Sequence, residues 1–152
     1  MKILALDMAT HTGWATNYPT FQYGREKFDR KRGESPGMRF LRFTAWLEEI
    51  NRLCEPDVIV YEQAHHRGGA ATAVGVGMAT TLQTFAAKHD IETMAVHTGS
   101  LKKFATGKGN ASKEDMAVAC YEQLNSHPES DDEVDAIWLL KYAESELVGE
   151  MK

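Results

Sequence analysis

Four carboxylates stand out by the company they keep. Asp7 closes the apolar run Ile3-Leu4-Ala5-Leu6, and Glu62 closes Val58-Ile59-Val60-Tyr61. Asp132 and Asp135 continue, at spacings of three and four, the stripe formed by Ala136, Leu139, Leu140 and Ala143. A solvated charge run would carry its acids on the side opposite that stripe. The attraction of a helix N-terminus for negative charge accounts for Asp131 and Glu133. It accounts less well for Asp135, which opens directly onto Ala136-Ile137. Four acids gathered in one place repel and raise one another's pKa, so they stay ionised together only beside a cation. Oxygen donors without His or Cys suit Mg²⁺ or Mn²⁺. Two hard ions held by carboxylates are a common apparatus for phosphodiester hydrolysis.

A second feature is the segment spanning residues 101–113. It carries Lys102, Lys103, Lys108 and Lys113 and no acid. Gly107 and Gly109 allow a backbone to approach a phosphate closely. Lys113 falls in the first turn of an expected helix, where a cation opposes the dipole. That placement is sensible if the helix end faces an anion. A solvated loop with ordinary surface lysines is the competing reading.

These residues need a frame. Residues 2–8 read as a buried strand, residues 12–16 as a strand that pairs back on it, and residues 21–28 as a third strand around Gly24. A polar loop over 29–37 precedes a helix over 36–54, with Pro36 in its first turn. Phe40, Phe43, Leu47, Ile50 and Cys54 form its apolar stripe. A β-branched strand over 57–62 follows Pro56, then an Ala/Thr/Gly-rich helix over 70–88 and a strand over 91–96. Ser112 caps a helix to about residue 125 through a capping box with Asp115, and residues 131–148 form the last helix. A short antiparallel start followed by alternating strands and helices predicts an α/β mixed sheet flanked by helices. Asp7 and Glu62 then sit at the carboxyl ends of strands, where such sheets bind ligands.

Composition sets the outer bounds. The 152 residues are 43% hydrophobic and 26% charged, which excludes a disordered or collagen-like chain. No apolar run approaches the ~20 residues of a membrane span, and the start is too short for a signal-peptide core. Cys54 and Cys120 have no CxxC spacing, so neither a zinc site nor a disulfide framework is expected, and a cytoplasmic protein is the default. The net charge of −5 is unevenly distributed. Residues 1–113 hold 15 Lys/Arg against 11 Asp/Glu, and residues 114–152 hold 2 against 11. The acidity is therefore C-terminal, and the rest of the surface can be locally basic. Arg25, Lys27, Arg30, Lys31, Arg32, Arg39 and Arg42 make either a solvated face or a second contact with a nucleic-acid backbone. Trp14, Trp46 and Trp138 read as core or interface aromatics.

Together, Leu4-Ala5-Leu6-Asp7, Tyr61-Glu62-Gln63, the Lys102 to Lys113 segment and Asp132-Glu133-Val134-Asp135-Ala136 resemble the RuvC family of Holliday-junction endonucleases, within the RNase H-like fold. The compact length and divergent first motif look more like a phage-encoded branch. The resemblance spans roughly residues 3–143 and implies a single RNase H-like domain over residues 1–152 with a five-stranded sheet, antiparallel first and then parallel. It implies a metal-dependent nuclease of four-way junctions or other branched DNA, acting as a homodimer. Carried over by position, it assigns Asp7, Glu62, Asp132 and Asp135 to Mg²⁺ or Mn²⁺, two ions per site, and Lys102 and Lys113 to catalysis. It extends DNA binding to Lys103, Lys108 and to His65, His66 and Arg67. The sequence departs from the family in having Leu6 before the first acid, Met8-Ala9 after it, and His65 where an aromatic often follows the Glu. Histidine can stack on a base or meet a phosphate; plain loop residues are the alternative. The helix over 70–88, with Gly75, Gly77 and Ala79, is the expected dimer interface, and the first helix is the alternative. A relative acting on RNA or an RNA/DNA hybrid and a non-catalytic branched-DNA-binding protein are the competing functions. A sugar-kinase or actin-type fragment would need a second domain.

Overall fold

A computed structural model of the protein describes residues 1–63 and 68–150, with residues 148–150 described by their backbone alone. Its strands are β1 (Ile3–Asp7), β2 (His11–Thr16), β3 (Gln22–Lys27), β4 (Val58–Glu62) and β5 (Glu92–Val96). They form one sheet of order β3-β2-β1-β4-β5, with β1–β2 and β2–β3 antiparallel and β1–β4 and β4–β5 parallel. The helices among the described residues are α1 (Met38–Cys54), α2 (Ala70–Lys88), α3 (Thr98–Thr106), α4 (Lys113–Leu124) and α5 (Asp131–Glu150).

The unbroken apolar character of β1 and β4 follows from burial on both faces. Ile3, Ala5, Val58 and Val60 point into a core built with α3, α4 and α5. Leu4, Leu6, Ile59 and Tyr61 point into a second core built with α1 and α2. α1 buries Phe43, Leu47, Ile50 and Cys54, the stripe read from the sequence, and ends where Glu55 turns left-handed and donates its N–H to the Asn51 carbonyl. α5 lies along the other face, with Ala136, Ile137, Leu139, Leu140 and Ala143 fully enclosed. The tryptophans are packing residues: Trp46 lies against Phe28 and Phe43, and Trp138 is buried with its indole N–H on the Met116 carbonyl.

Two local expectations are corrected. Pro36 lies in a turn ahead of α1 rather than inside it. Residues 98–106 form a helix, so the first half of the basic segment is α3 and not a loop. Its apolar signal is short, since Leu101 and Ala105 are its buried residues and cations surround them. Gly107, at φ +86°, is the left-handed residue that ends α3, with its N–H on the Lys103 carbonyl. The glycine there is required by a helix terminus.

Gly77 also has an internal role. A Cβ there would lie 2.4 Å from the ring of Phe40, so this glycine lets α2 close onto α1 within the same chain. α4 begins as expected: the Ser112 hydroxyl accepts the Asp115 N–H, and the Asp115 carboxylate accepts the Ser112 N–H.

Candidate active site

β1 and β4 are in parallel register, with Leu6 beside Tyr61. The next residue on each strand is an acid, so the register alone sets Asp7 and Glu62 side by side. The third acid arrives from α5. Carboxylate oxygens of Asp7, Glu62 and Asp135 all lie within 4.8 Å of one another, and all three side chains are partly buried.

How α5 comes so close is a matter of one missing methyl. Gly13 sits opposite Asp7 in the β1–β2 ladder. A Cβ at Gly13 would lie 1.9 Å from the backbone oxygen of Asp132 and 2.2 Å from its carbonyl carbon. The first turn of α5 therefore occupies the space that a side chain on β2 would need. Ser130 fixes where that turn begins: its hydroxyl accepts the Glu133 N–H at 3.2 Å and donates to the Glu133 carboxylate at 2.9 Å. Neither residue was singled out from the sequence. A glycine inside a strand is a recognised mark of close backbone approach, and Ser-x-x-Glu is a capping signature.

The electrostatics are those of crowded like charges. Burial first, and then Asp135, Glu62 and Asp132, push the Asp7 carboxyl well above its usual range. Hydrogen bonding toward Asp132 acts on Asp7 in the same direction. Burial, followed by Glu62, Asp131 and Asp132, raises Asp135 to about 7, with Lys113 working the other way. Without a cation Asp7 and Asp135 therefore keep their protons to higher pH than ordinary carboxyls do. An all-oxygen donor set of this charge fits Mg²⁺ or Mn²⁺ by chemistry, with Asp7, Glu62 and Asp135 as the residues that would hold it.

Asp132 is placed differently. Its charge bears on Asp7, but its carboxylate is ion-paired with Arg25 of β3 at 3.4 Å, and it stands outside the group of three. Lys113 pairs with Asp131 at 3.8 Å, so Asp131 stands nearer the site than its place in an acidic first turn suggested.

A cavity of about 170 Å³ opens beside the acids. Glu62, Asp135, Lys102, Lys113 and Thr98 line it, over a floor of Leu101 and Met116. Lys102 is carried one helical turn after Thr98, whose hydroxyl donates to the Glu62 carboxylate. Buried Leu101 and Ala105 seat α3, and Phe104 packs edge-on against Trp138 and Tyr142 of α5. The Trp138–Met116 hydrogen bond ties the start of α4, and with it Lys113, to the same helix. Lys103 and Lys108 are exposed and do not line this cavity. His65, His66 and Arg67 fall in residues 64–67 and lie outside the described residues. Thr98 escaped notice because the helix it begins was not expected.

Solved structures share this fold. The Thermus thermophilus RuvC structure superposes with a TM-score of 0.77 at 19% identity, covering 98% of this chain and 97% of that one. The same RuvC in complex with Holliday junction substrate gives 0.80 at 19% identity, covering 98% and 96%. This chain has the RuvC fold. Fowlpox virus resolvase, solved with its substrate Holliday junction DNA, superposes on it at 0.62 and 13% identity, covering 97% and 99%. No protein-family model and no curated protein sequence matches the chain. The five-stranded mixed sheet expected from the sequence is thus also the sheet of a RuvC fold. No helix among the described residues is long and apolar enough to cross a membrane.

Proposed function

We propose that the protein is a metal-dependent, structure-selective endonuclease that nicks four-way DNA junctions. The observation that carries this reading is the convergence of Asp7, Glu62 and Asp135 at the carboxyl ends of two adjacent parallel strands. The RuvC and fowlpox resolvase structures with bound Holliday junction, which share the fold along almost the whole chain, support the choice of substrate. Lys102 and Lys113 beside the acids add the cations that a phosphodiester needs.

In this reading Asp7, Glu62 and Asp135 hold Mg²⁺, for which Mn²⁺ substitutes, and Asp132 completes a site for two ions. The ions would supply an activated water and offset charge on the phosphate. The remaining work belongs to the chain's side chains. Thr98 fixes the Glu62 carboxylate by its hydrogen bond. Lys102 and Lys113 stabilise the negative charge that grows on the phosphate oxygens during hydrolysis. Lys103, Lys108 and the segment His65-His66-Arg67 extend the contact along the DNA backbone. A four-way junction offers two equivalent strands about a two-fold axis, which a closed homodimer with one site per subunit matches. The exposed side of α2 is the candidate interface, since Gly77 is already engaged with Phe40. Residues 1–152 act as one nuclease domain, in the cytoplasm.

The test is a cleavage assay on a synthetic four-way junction, a fork, a linear duplex and an RNA/DNA hybrid, with Mg²⁺ or with chelator. Paired nicks in the junction alone, dependent on Mg²⁺, are expected. Preferential cutting of the hybrid would replace the substrate class. Junction binding without cleavage in Mg²⁺ or Mn²⁺ would make the protein a non-catalytic binder.

A further inference from the structure

Among the cationic residues of β3 and the loop after it, Arg25 occupies a position of its own. The β2–β3 register sets it opposite Gly13, the residue whose absent side chain admits the backbone of Asp132. The same register therefore brings the Arg25 guanidinium to Asp132, with Nε 3.4 Å from Oδ2. Both side chains are about one-third exposed, at 35% and 29%. The guanidinium is held from behind as well: it meets Nδ1 of His11, whose Nε2 lies 3.4 Å from Asp29. Arg42, by contrast, is paired with Glu34, and Arg39 donates to the Phe28 carbonyl. Those two serve the loop, whereas Arg25 reaches the acidic cluster.

We propose that Arg25 is the resident counter-ion of the acidic site, neutralising Asp132 in the metal-free protein and competing with a divalent ion for that carboxylate. The proposal rests on the metal-site reading above. Its physical basis is direct. A guanidinium stays charged at every pH the protein meets. A carboxylate paired with it is a poorer ligand than a free one. Asp132 accordingly faces Arg25 and stands outside the group of three whose oxygens already converge. A divalent ion that recruits Asp132 has to displace this pairing, so Arg25 sets how readily the fourth acid joins and keeps the cluster tolerable when no ion is bound.

The experiment is calorimetric titration of Mn²⁺ into the metal-free protein at low ionic strength, for wild type, Arg25→Gln and Arg25→Lys. Arg25→Gln is expected to bind Mn²⁺ about tenfold more tightly, the scale of one removed unit charge near a partly exposed site. Arg25→Lys, which keeps the charge, is expected to stay within about twofold of wild type. In an Asp132→Asn background, Arg25→Gln should no longer change the affinity. Melting curves give a second readout: Mn²⁺ should raise the melting temperature of Arg25→Gln by more than it raises that of wild type. Equal or weaker Mn²⁺ binding by Arg25→Gln would overturn the proposal, making Arg25 either an inert surface pair or a support for Asp132 as a ligand. Tightening in Arg25→Lys as large as in Arg25→Gln would overturn it too. Absence of Mn²⁺ binding in wild type would instead sink the metal-site reading itself.

Discussion

Replacing Gly13 by Ala adds a single methyl group at the point where α5 meets the sheet. That methyl would start 1.9 Å from the Asp132 carbonyl oxygen, and carbon–oxygen contacts in proteins are essentially never shorter than 3.0 Å. The first turn of α5 must therefore retreat by about 1 Å. Its neighbour is backbone, in a helix whose start Ser130 fixes, so no side-chain rotation relieves the clash. Over-packing of this kind costs about 1–3 kcal/mol of stability, which a domain of this size survives. The functional cost is larger, because Asp132 and Asp135 move with the turn. A displacement of about 1 Å of catalytic groups lowers rates about 100-fold. Thermal melting and single-turnover cleavage of a four-way junction measure the two effects separately. Gly24→Ala is the control: its Cβ would meet the Trp14 ring at 2.8 Å, a side chain on the α1 face. It should lower stability and leave cleavage within a few-fold of wild type. Cleavage by Gly13→Ala within a few-fold of wild type would refute the claim that this glycine positions the acids.

Three further outcomes are expected. Asp135 is raised from 3.8 to about 7, so the folded protein keeps a proton that the unfolded chain has lost between those values. Metal-free stability must then fall as pH rises from about 4 to 7, by at most about 4 kcal/mol because Asp7 and Glu62 share the repulsion. Asp135→Asn should melt above wild type at pH 8 without metal and converge with it near pH 4; identical profiles would contradict the crowding of these charges. Lys102→Ala and Lys113→Ala should each slow cleavage at least tenfold while changing junction affinity only a few-fold, and a loss confined to binding would move them from the reacting phosphate to the DNA backbone. Thr98→Val should weaken both Mn²⁺ binding and cleavage about tenfold, with Thr98→Ser restoring them, as expected of a residue that orients a metal-holding carboxylate; unchanged Mn²⁺ affinity in Thr98→Val would show that Glu62 needs no such support.

Much of this was readable in the sequence because the signals are local. β1 and β4 are short apolar runs, each ending in an acid, and the α5 stripe carries Asp135 onto its buried side. The antiparallel start and the Ser112 capping box follow from turns and spacing in the same way. What the sequence concealed depends on residues that meet across the fold. α3 has two buried residues among cations, and a glycine ends it in a left-handed turn. The role of Gly13 depends on α5, more than a hundred residues away in the chain. The Arg25–Asp132 pair depends on the register of β3 and on that same packing. Asp132 and Asp135 look equivalent along the chain, yet one faces Arg25 while the other joins Asp7 and Glu62.

The central claim is that clustered carboxylates hold the ion that hydrolyses a DNA strand, and Asp7→Asn tests it most directly. The substitution keeps the shape of the side chain at a carboxyl in the middle of the cluster and removes its charge. Cleavage of a labelled four-way junction in Mg²⁺ should fall by at least about 1,000-fold. Junction affinity, measured on the same preparation in a gel-shift assay, should stay within a few-fold of wild type because it is spread over many phosphate contacts. Cleavage by Asp7→Asn at the wild-type rate would contradict the account.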